Sequence, residues 1–544
     1  MKIVIPMSGI GKRFLEAGYK KPKPLIEIDG KPIVEHIVDL FSGERDFIFI
    51  CNSEHLKQTN IKEILTRIAP YSKIIEIPPH KKGPVYAVSY AFDMIGDDEE
   101  VIVNYCDFSK YWDYQDFLTH TRNRNADGAI PSYKGFHPHM LGTTNYAFIR
   151  DDKQWMLEIR EKQPFTDNRM QEYASDGTYY FKKGSYVKKY FKQLMDENIS
   201  VNGEYYVSMV YNLMKSDNLN ISIYEIQHML QWGTPRDLEE YKKWSDYFRH
   251  IIQPQENIKP NKKSINLIPL AGKGKRFTDE GYKLPKPLIE VSGKPMIIQA
   301  TNYLPNAERH IFVCLAEHLD NYPLENEIRK AYPNAKIVGI NMITEGQACT
   351  CEIGLEGEDL DSSLLIAVCD NGMLWDAKKY QSLINDEAVD AVVWSFRHHP
   401  SSERNPQMYG WVRVDKDDNV LGVSVKEAIS DNPYNDHAIV GTFYFKKAKY
   451  FTEALEEMYK KNIRVNGEFY VDNCINELIK IGLKVKVFEV ESYICWGTPN
   501  DLRTYEYWRS FFHKCRWHPY RLDIDISINR NVIDELDSKY RFFE

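Results

Sequence analysis

The chain has 544 residues, of which 43% are hydrophobic and 27% are charged, and its formal net charge is −8. These proportions are ordinary for a globular protein, and the acidic balance excludes a dedicated nucleic-acid binder, which would carry a basic excess. No stretch approaches the roughly 20 apolar residues of a membrane helix, and the nine cysteines have no regular framework, so we expect a cytoplasmic protein with reduced thiols and no membrane insertion.

The sequence contains one long pattern twice. Residues 8–28 read SGIGKRFLEAGYKKPKPLIEI, and residues 271–291 read AGKGKRFTDEGYKLPKPLIEV. The match continues to Gly233 and Gly497 with a register drift of one residue, whereas solenoid repeats run only about 20–50 residues. A duplicated domain is therefore predicted. The expected division is a first domain at 1–249, a polar linker at 250–264, a second domain at 265–512 and a C-terminal extension at 513–544.

Strand-like and helical segments alternate through the first half of each copy. The first copy has the strand patterns KIVIP, DFIFIC, KIIEI and EVIVNYCD, separated by PIVEHIVDLF, SEHLKQTNIKEILTRI and GPVYAVSYAF. The second copy has NLIPL, RHIFVCL, KIVGI and SLLIAVCD, with PMIIQATNYL after the first. Such alternation predicts a doubly wound, Rossmann-like α/β core with helices on both faces of a parallel sheet. The second halves are more irregular, as in YGWVRVDKDDNVLGVSV, which predicts a mixed sheet and an inserted lobe.

In both copies the first strand runs directly into G-x-G-K-R-F. Glycines allow positive φ and let backbone N–H groups approach a phosphate, although a tight structural turn with solvated charges is the alternative. Phe14 and Phe277 replace the third glycine of a dinucleotide fingerprint, and the spacer of a P-loop is missing. About ten residues later, prolines flank Lys23 and Lys286 and orient each lysine. A lysine fixed there can stabilise charge on a leaving diphosphate.

A strand, G-x-G-x-R and then P-K-P-L together resemble the N-terminal signature of the sugar nucleotidyltransferases, or nucleotide-sugar pyrophosphorylases. The resemblance covers both copies almost from end to end, although lysine stands where that family usually has threonine. It implies two tandem nucleotidyltransferase domains, each with an acceptor-binding lobe, that release diphosphate. The nucleotide-binding residues that it implies are Ser8, Gly9, Gly11, Lys12, Gly83, Ala271, Gly272, Gly274, Lys275, Gly346 and Gln347. The catalytic residues that it implies are Arg13, Lys23, Arg276 and Lys286.

An aspartate follows the strand VIVNYCD or LLIAVCD in each copy, Asp107 and Asp370. The carboxyl ends of parallel strands are where α/β sheets bind ligands, and Mg²⁺ takes one or two carboxylates together with phosphate oxygens. The resemblance implies Mg²⁺ at these two residues and at Asp472, in GEFYVDNCINEL. Ser208 occupies the corresponding place in the first copy. Because a hydroxyl is a poor replacement for a carboxylate at Mg²⁺, catalysis by the first copy is left open.

At the acceptor side it is the second copy that departs from the family pattern. In the family, a glutamate holds sugar hydroxyls and the next lysine holds the acceptor phosphate, and the first copy has Glu161 and Lys162. The second copy has Glu427 followed by Ala428, and we expect Lys426, one residue earlier, to face the other side of its strand. The second copy is therefore expected to bind a different acceptor or to hold its phosphate with another residue.

Several interpretations stay open at this point. A glycosyltransferase with a related sheet would usually carry Asp-x-Asp, whereas the copies have Asp-Phe-Ser and Asp-Asn-Gly. One copy could catalyse while the other binds nucleotide as a regulatory module, or both could make different activated compounds. We expect a nucleoside triphosphate, with a pyrimidine such as CTP favoured, and a phosphorylated sugar, polyol or amine used in bacterial capsule or surface-polysaccharide synthesis. No nucleic-acid partner is expected, and homo-oligomer formation is left open. The loop histidines are interpreted as surface or substrate contacts: His137, His139, His398 and His399.

Overall fold

The computed structural model describes residues 1–142, 145–253 and 263–539. These residues divide into two compact units, the first built from residues 1–245 and 507–519 and the second from residues 246–506 and 520–539. Residues 254–262 of the predicted linker and residues 540–544 of the predicted extension lie outside the described residues. The described part of the extension is shared between the units, because residues 513–519 belong to the first and later residues to the second.

The first unit contains fourteen of the described strands and begins with one of them. The strands are β1 Lys2–Met7, β2 Glu27–Ile28, β3 Lys31–Pro32, β4 Phe47–Asn52, β5 Lys73–Ile77, β6 Val101–Asn104, β7 Phe108–Tyr111, β8 Gly128–Tyr133, β9 Ala147–Asp152, β10 Trp155–Glu161, β11 Tyr173–Ser175, β12 Thr178–Phe181, β13 Ile221–Glu225 and β14 His228–Gln231. The α-helices are α1 Lys12–Glu16, α2 Ile33–Asp39, α3 Ser53–Gln58, α4 Ile61–Ile68, α5 Pro84–Ser89, α6 Tyr114–Asn123, α7 Gly184–Asp196, α8 Val207–Ser216 and α9 Pro235–His250, whose last residues are counted with the second unit.

The second unit follows the same succession of strands and helices. The strands are β15 Ser264–Leu270, β16 Glu290–Val291, β17 Lys294–Pro295, β18 Arg309–Leu315, β19 Lys336–Ile340, β20 Ser363–Ile366, β21 Asn371–Leu374, β22 Ala391–Phe396, β23 Gly410–Val414, β24 Val420–Val425, β25 His437–Phe445, β26 Val485–Glu489 and β27 Ser492–Cys495. The α-helices are α10 Lys275–Asp279, α11 Met296–Thr301, α12 Ala316–Asn321, α13 Leu324–Ala331, α14 Gln347–Gly354, α15 Ala377–Asn385, α16 Pro400–Arg404, α17 Ala448–Lys461, α18 Val471–Lys480, α19 Pro499–Lys514, which ends in the first unit, and α20 Ile533–Lys539.

Each unit is organised around one large mixed sheet. In the first unit the strand order is β11-β9-β10-β13-β8-β12-β6-β1-β4-β5. In the second the main path is β19-β18-β15-β20-β25-β22-β26, with β23 paired to β25 and β24 paired to β23. β1 pairs in parallel with β4 and β6, and β15 pairs in parallel with β18 and β20. β12 and β25 are antiparallel to their neighbours β6 and β20. The predicted mixed α/β fold is confirmed, but the sheets are not purely parallel, because these antiparallel strands separate two parallel groups.

The predicted strands of the first halves are present as β1, β4, β5 and β6 and as β15, β18, β19 and β20. The apolar side chains of their central strands are fully buried, as for Val4, Ile48 and Val103 in the first unit and Leu267 and Val313 in the second. Burial of a side chain of this size contributes about 1.5–3 kcal/mol. Packing on both faces therefore holds the sheet rigid, and the loops that follow its parallel strands are presented at one edge.

Two of the buried histidines of the first unit pack against Tyr507, and burial favours their neutral form. His137 and His228 are each only 2% exposed, and their ring centroids lie 5.2 and 4.9 Å from that of Tyr507. His137 is therefore buried and does not have the surface position that was one of its two predicted roles. Burial lowers the pKa of His137 to about 4 and holds the pKa of His228 well below its ordinary value. Each group must stay neutral for the unit to remain packed.

Acid is therefore expected to destabilise the first unit. Below pH 6.5 the unfolded chain binds protons at His137 and His228 that the folded unit does not, so stability falls as the pH falls toward 4, by up to about 1.4 kcal/mol per pH unit for each histidine. Thermal unfolding between pH 7.5 and pH 4.5 measures this loss. The matched variant H137F/H228F keeps two rings of similar size and should lose less stability on acidification. An identical pH dependence in both proteins would show that other groups are responsible.

Candidate nucleotide-binding site

The two glycines of each loop have different structural roles. Gly11 and Gly274 precede α1 and α10 in the left-handed conformation, with φ of 67° and 60°. A Cβ on Gly9 or Gly272 would meet nothing within 4 Å. The second glycine therefore turns the chain, and the first leaves an open approach to the backbone. Lys275 and Arg276 follow Gly274 and are exposed.

The lysine of P-K-P-L and the strand-end aspartate form an ion pair in both units. Lys23 Nζ donates to Asp107 Oδ2 at 2.9 Å and to the carbonyl oxygen of Gly233 at 3.2 Å. Lys286 donates to Asp370 in the same way. The ion pair brings together the lysine of P-K-P-L, which was predicted to be catalytic, and the strand-end aspartate, which was predicted to bind metal.

The fit of this pair in the second unit is close. A Cβ on Gly274 would lie 2.9 Å from Cβ of Lys286, and one on Gly497 would lie 3.1 Å from Oδ2 of Asp370. Burial opposes the charge of Lys286, but Asp370 outweighs that effect and the pKa of Lys286 is raised. The lysine is therefore held as a cation beside the carboxylate.

A cavity of about 400 Å³ in the first unit brings most of its predicted residues together. The predicted residues that line it are Ser8, Gly9, Gly11, Arg13, Lys23, Gly83, Asp107, Glu161 and Lys162. Lys12 is exposed instead, and its Nζ lies 3.4 Å from a carboxylate oxygen of Glu16. A volume of this size suits a small-molecule ligand. The cavity is lined from the glycine loop at one side to the Glu-Lys pair at the other.

The acceptor side of this cavity contains a half-buried carboxylate, that of Glu161. Ser208 Oγ donates to Glu161 Oε2 at 2.6 Å, and Lys162 Nζ donates to the hydroxyl of Tyr206 at 2.7 Å. Burial raises the pKa of Glu161, although the bond from Ser208 and the charge of Lys162 act in the opposite direction. Ser208, predicted only as a failed metal ligand, thus supports the glutamate.

Sequence reasoning missed a second buried ion pair at this cavity. Lys110 Nζ lies 2.6 Å from Asp176 Oδ2, with both side chains fully buried, and Asp176 lines the cavity. Burial lowers the pKa of Lys110 to about 8 and raises that of Asp176, each effect being opposed by the partner's charge. In the second unit the corresponding strand positions hold Met373 and Val440. A comparison of the two copies residue by residue would have found this difference.

The predicted acceptor motif of the second unit is wrong in its register. Lys162 and Lys426 both have a φ of 60°, and their main-chain N–H groups donate to the carbonyl oxygens of Tyr146 and Tyr409 at 2.8 and 2.9 Å. Lys426, not Ala428, is therefore the counterpart of Lys162. Lys426 was expected to face the other side of its strand. Because β24 ends at Val425, Lys426 lies outside the strand, and the alternation of side chains between the two faces does not apply to it.

The corrected register also changes the assignment of Glu427, which was predicted to bind the acceptor. Val425, the last residue of β24, is the counterpart of Glu161, the last residue of β10. Glu427 lies beyond the strand and is exposed. Its position therefore does not correspond to that of Glu161 in the first unit.

The glycines of the predicted base-binding segments approach the protein's own backbone. Gly83 and Gly346 have positive φ, of 83° and 140°. A Cβ on Gly83 would lie 2.7 Å from the main-chain nitrogen of Tyr205, and one on Gly346 would lie 2.4 Å from the carbonyl oxygen of Phe469. The absence of a side chain at both positions is explained by close packing against the main chain at Tyr205 and Phe469. The predicted reason was a close approach of the nucleotide base. Gln347 is the first residue of α14 and is half-buried.

Gly346→Ala is expected to destabilise the second unit by more than about 2 kcal/mol, because a positive φ and a backbone clash are combined at one position. Gly272→Ala is the matched control in the same unit, since its Cβ would meet nothing within 4 Å and its φ is not positive. Thermal unfolding of the full chain should show a clear loss for the first variant and almost none for the second. Equal losses would contradict the packing described here.

The strand-end aspartates fit a magnesium site. Asp107 and Asp370 present carboxylates with side chains 39% and 26% exposed, and Mg²⁺ needs only one or two such groups when phosphate and water supply the remaining oxygens. Within the described ranges, no three side chains of His, Cys, Asp or Glu form a cluster suited to a metal ion. Asp472, the third predicted ligand, is the second residue of α18 and is buried.

Comparison with known proteins shows what the first unit is similar to. Residues 3–166 match the family model described as the MobA-like NTP transferase domain. The predicted resemblance to nucleotidyltransferases is thereby confirmed, and the homologues of the chain are nucleotidyltransferases. No helix of the described chain combines the length and the apolar character needed to cross a membrane.

Individual relatives share limited parts of the chain. Glucose-1-phosphate cytidylyltransferase of Salmonella typhimurium is 49% identical over 53 residues, which are 9% of this chain and 21% of that protein. Bifunctional protein GlmU of Staphylococcus epidermidis is 26% identical over 232 residues, 42% of this chain and 48% of that protein. The chain thus spans less than half the length of these relatives. A nucleoside-diphosphate-sugar pyrophosphorylase from Vibrio cholerae is 22% identical, with a TM-score of 0.37, over 44% of this chain and 98% of that structure.

Proposed function

We propose that the protein is a magnesium-dependent nucleotidyltransferase that couples a nucleoside triphosphate to a small phosphorylated acceptor and releases diphosphate. The observation that carries the proposal is the cavity of the first unit, lined by the glycine loop, the Lys23–Asp107 pair and the Glu161–Lys162 pair. These groups suit three parts of one reaction, namely the triphosphate, the charge at the reacting phosphate and the acceptor. The second unit repeats the loop and the ion pair, so we propose a tandem of two such domains.

The reaction needs no strong base. A phosphate oxygen of the acceptor is already anionic at neutral pH, and it forms a bond to the α-phosphorus while the bond to the diphosphate breaks. Catalysis then depends on positioning and on neutralising charge. The open backbone at Gly9 and Gly272 would receive the phosphates, with Arg13 and Arg276 beside them. Lys23 contributes a cation at the edge of the sheet, where the reacting phosphates would lie.

Asp107 and Asp370 would hold Mg²⁺, which when bound neutralises phosphate charge and polarises the phosphorus that is attacked. Each carboxylate is already oriented by its lysine, with 2.9 Å between Lys23 Nζ and Asp107 Oδ2. The ion pair therefore fixes the rotamer of the carboxylate before a ligand arrives.

The two units are proposed to use different acceptors. The first has the half-buried Glu161 and a buried Lys110–Asp176 pair at its cavity, whereas Val425, Met373 and Val440 stand at the corresponding positions of the second. A chain that serves a single acceptor twice would not need this difference. We propose a pyrimidine nucleotide, such as CTP, and a role in making activated precursors of a bacterial surface polysaccharide. The name of the Salmonella relative, glucose-1-phosphate cytidylyltransferase, supports the choice of CTP.

Diphosphate release tests the proposal. The full-length protein is incubated with each nucleoside triphosphate and with sugar phosphates, polyol phosphates and phosphorylated amines, with Mg²⁺ and with chelator. Release that requires one nucleotide, one class of acceptor and the metal is the expected result. Nucleotide consumption without a phosphorylated acceptor would contradict it, and transfer of a sugar from a nucleotide-sugar would favour a glycosyltransferase instead.

A further inference from the structure

The two acceptor subsites can be superimposed residue by residue through their hydrogen bonds. Ile159 N donates to Asn212 Oδ1 at 3.1 Å, and Val423 N donates to Asn476 Oδ1 at 2.8 Å. The amide of each asparagine donates back to the carbonyl oxygen of the same strand residue. α8 therefore meets β10 as α18 meets β24, and the positions around these bonds correspond without ambiguity.

Three neighbouring positions of this subsite change together. Glu161 is paired across the strands with Ala147, and Val425 is paired with Gly410. Opposite them, at the second residue of α8 or α18, the first unit has Ser208 and the second has Asp472. The first unit thus carries its carboxylate on the strand and a hydroxyl on the helix, whereas the second carries an apolar strand residue and a carboxylate on the helix.

The small residue paired with each strand end also differs between the units, alanine at Ala147 and glycine at Gly410. A Cβ on Gly410 would lie 2.2 Å from Oδ1 of Asp472, so an alanine such as Ala147 would not fit beside the aspartate. In the first unit Ser208 is smaller, and alanine is accommodated. The glycine of the second unit is therefore explained by the position of the carboxylate.

The Asp472 carboxylate is buried and lacks a side-chain donor. It is 9% exposed, and within the described chain only its own main-chain N–H and the charge of Lys426 stabilise the ionised form. Burial raises its pKa to about 6. Glu161, by contrast, receives the hydroxyl of Ser208. A buried acceptor without a donor is costly unless a ligand supplies one.

We propose that the acceptor-binding carboxylate has moved from the strand in the first unit to the helix in the second, so that Asp472 binds a hydroxyl or ammonium donor of the phosphorylated acceptor while Lys426 binds its phosphate. Lys426 Nζ lies 4.8 Å from the ring centroid of Tyr470, as Lys162 Nζ lies 4.7 Å from that of Tyr206. This inference rests on the proposed function, and it assigns Asp472 to acceptor specificity instead of to the metal.

The test uses the full-length protein with E161Q/K162M, which removes the two acceptor-binding charges of the first unit. D472S copies the first unit and D472N removes only the charge, while D472S/V425E restores a carboxylate from the strand. Glycerol 3-phosphate and phosphoethanolamine are titrated calorimetrically as the hydroxyl and ammonium probes, in the presence of nucleotide and Mg²⁺. Nucleotide affinity is measured separately, and thermal unfolding shows that each variant is folded.

D472S and D472N are expected to weaken binding of at least one probe about tenfold or more, with nucleotide affinity unchanged, and V425E should recover most of the loss. The probe that loses more affinity identifies the donor. Unchanged probe affinities, a loss confined to nucleotide or Mg²⁺, no rescue by V425E, or failure of both probes to bind the E161Q/K162M protein would each overturn the inference. Failure of the proposed function is distinguishable, because the wild-type protein would then neither bind nucleotide nor release diphosphate.

Discussion

Replacing Lys110 by methionine is expected to destabilise the first unit by about 3–5 kcal/mol, because Asp176 would remain buried as an unpaired carboxylate. The variant also loses a hydrogen bond of 2.6 Å to Thr178 and the contact of Nζ with the Trp112 ring, 3.6 Å from its centroid. Denaturant unfolding of the full chain should show this loss in one transition. A surface pair provides the control, since Lys189→Met breaks an ion pair with Asp217 whose members are 59% and 48% exposed and should cost less than about 1 kcal/mol.

The double variant K110M/D176V separates the charge effect from a packing defect. It copies the apolar pair Met373 and Val440 of the second unit, and its stability should lie within about 1 kcal/mol of that of the wild type, because no buried charge is left without a partner. If the double variant were as unstable as K110M, the ion pair would not be the cause, and the account of this buried pair would be wrong.

Asp107→Asn and Asp370→Asn are expected to lower diphosphate release by the affected unit by about 10²-fold or more, because a neutral amide removes the metal-binding charge at the reacting phosphates. The substitution is isosteric, and neither side chain is fully buried, so the unfolding temperature should change little. Initial rates at saturating nucleotide and acceptor measure the effect.

The two single variants and their combination also show whether one unit or both units release diphosphate. With two active units, each single variant keeps the activity of the other unit toward its own acceptor, and D107N/D370N loses both. With one active unit, one single variant loses all release and the other is silent. Near-normal release by the double variant would contradict the assignment of both aspartates.

The repeated sequence predicted much of the framework for clear physical reasons. Apolar runs such as KIVIP and KIIEI are long enough to identify β1 and β5, and an aspartate after such a strand must lie at the carboxyl edge of the sheet. This was sufficient to place Asp107 and Asp370 beside a glycine loop. The pairing of Asp107 with Lys23 could not be read from the chain, because it depends on the path of the loops between them.

The misaligned acceptor motif has a specific cause. The segment VKEAIS contains a single glutamate, Glu427, and residue identity alone therefore indicates the wrong register. The left-handed φ of Lys426, which matches that of Lys162, is a property of the backbone that no local pattern indicates. Likewise, the exchange of carboxylates between Glu161 and Asp472 involves positions that are distant in sequence, so it becomes visible only when the strand and the helix are brought together.

The central claim is that the two glycine turns hold a triphosphate beside a magnesium ion bound by the strand-end aspartate. A crystal structure of the full chain with Mg²⁺ and a non-hydrolysable nucleoside triphosphate tests it most directly. We expect the phosphates to contact the backbone after Ser8 or Ala271, with the metal on Asp107 or Asp370. A nucleotide bound elsewhere, with both turns empty, would contradict the claim.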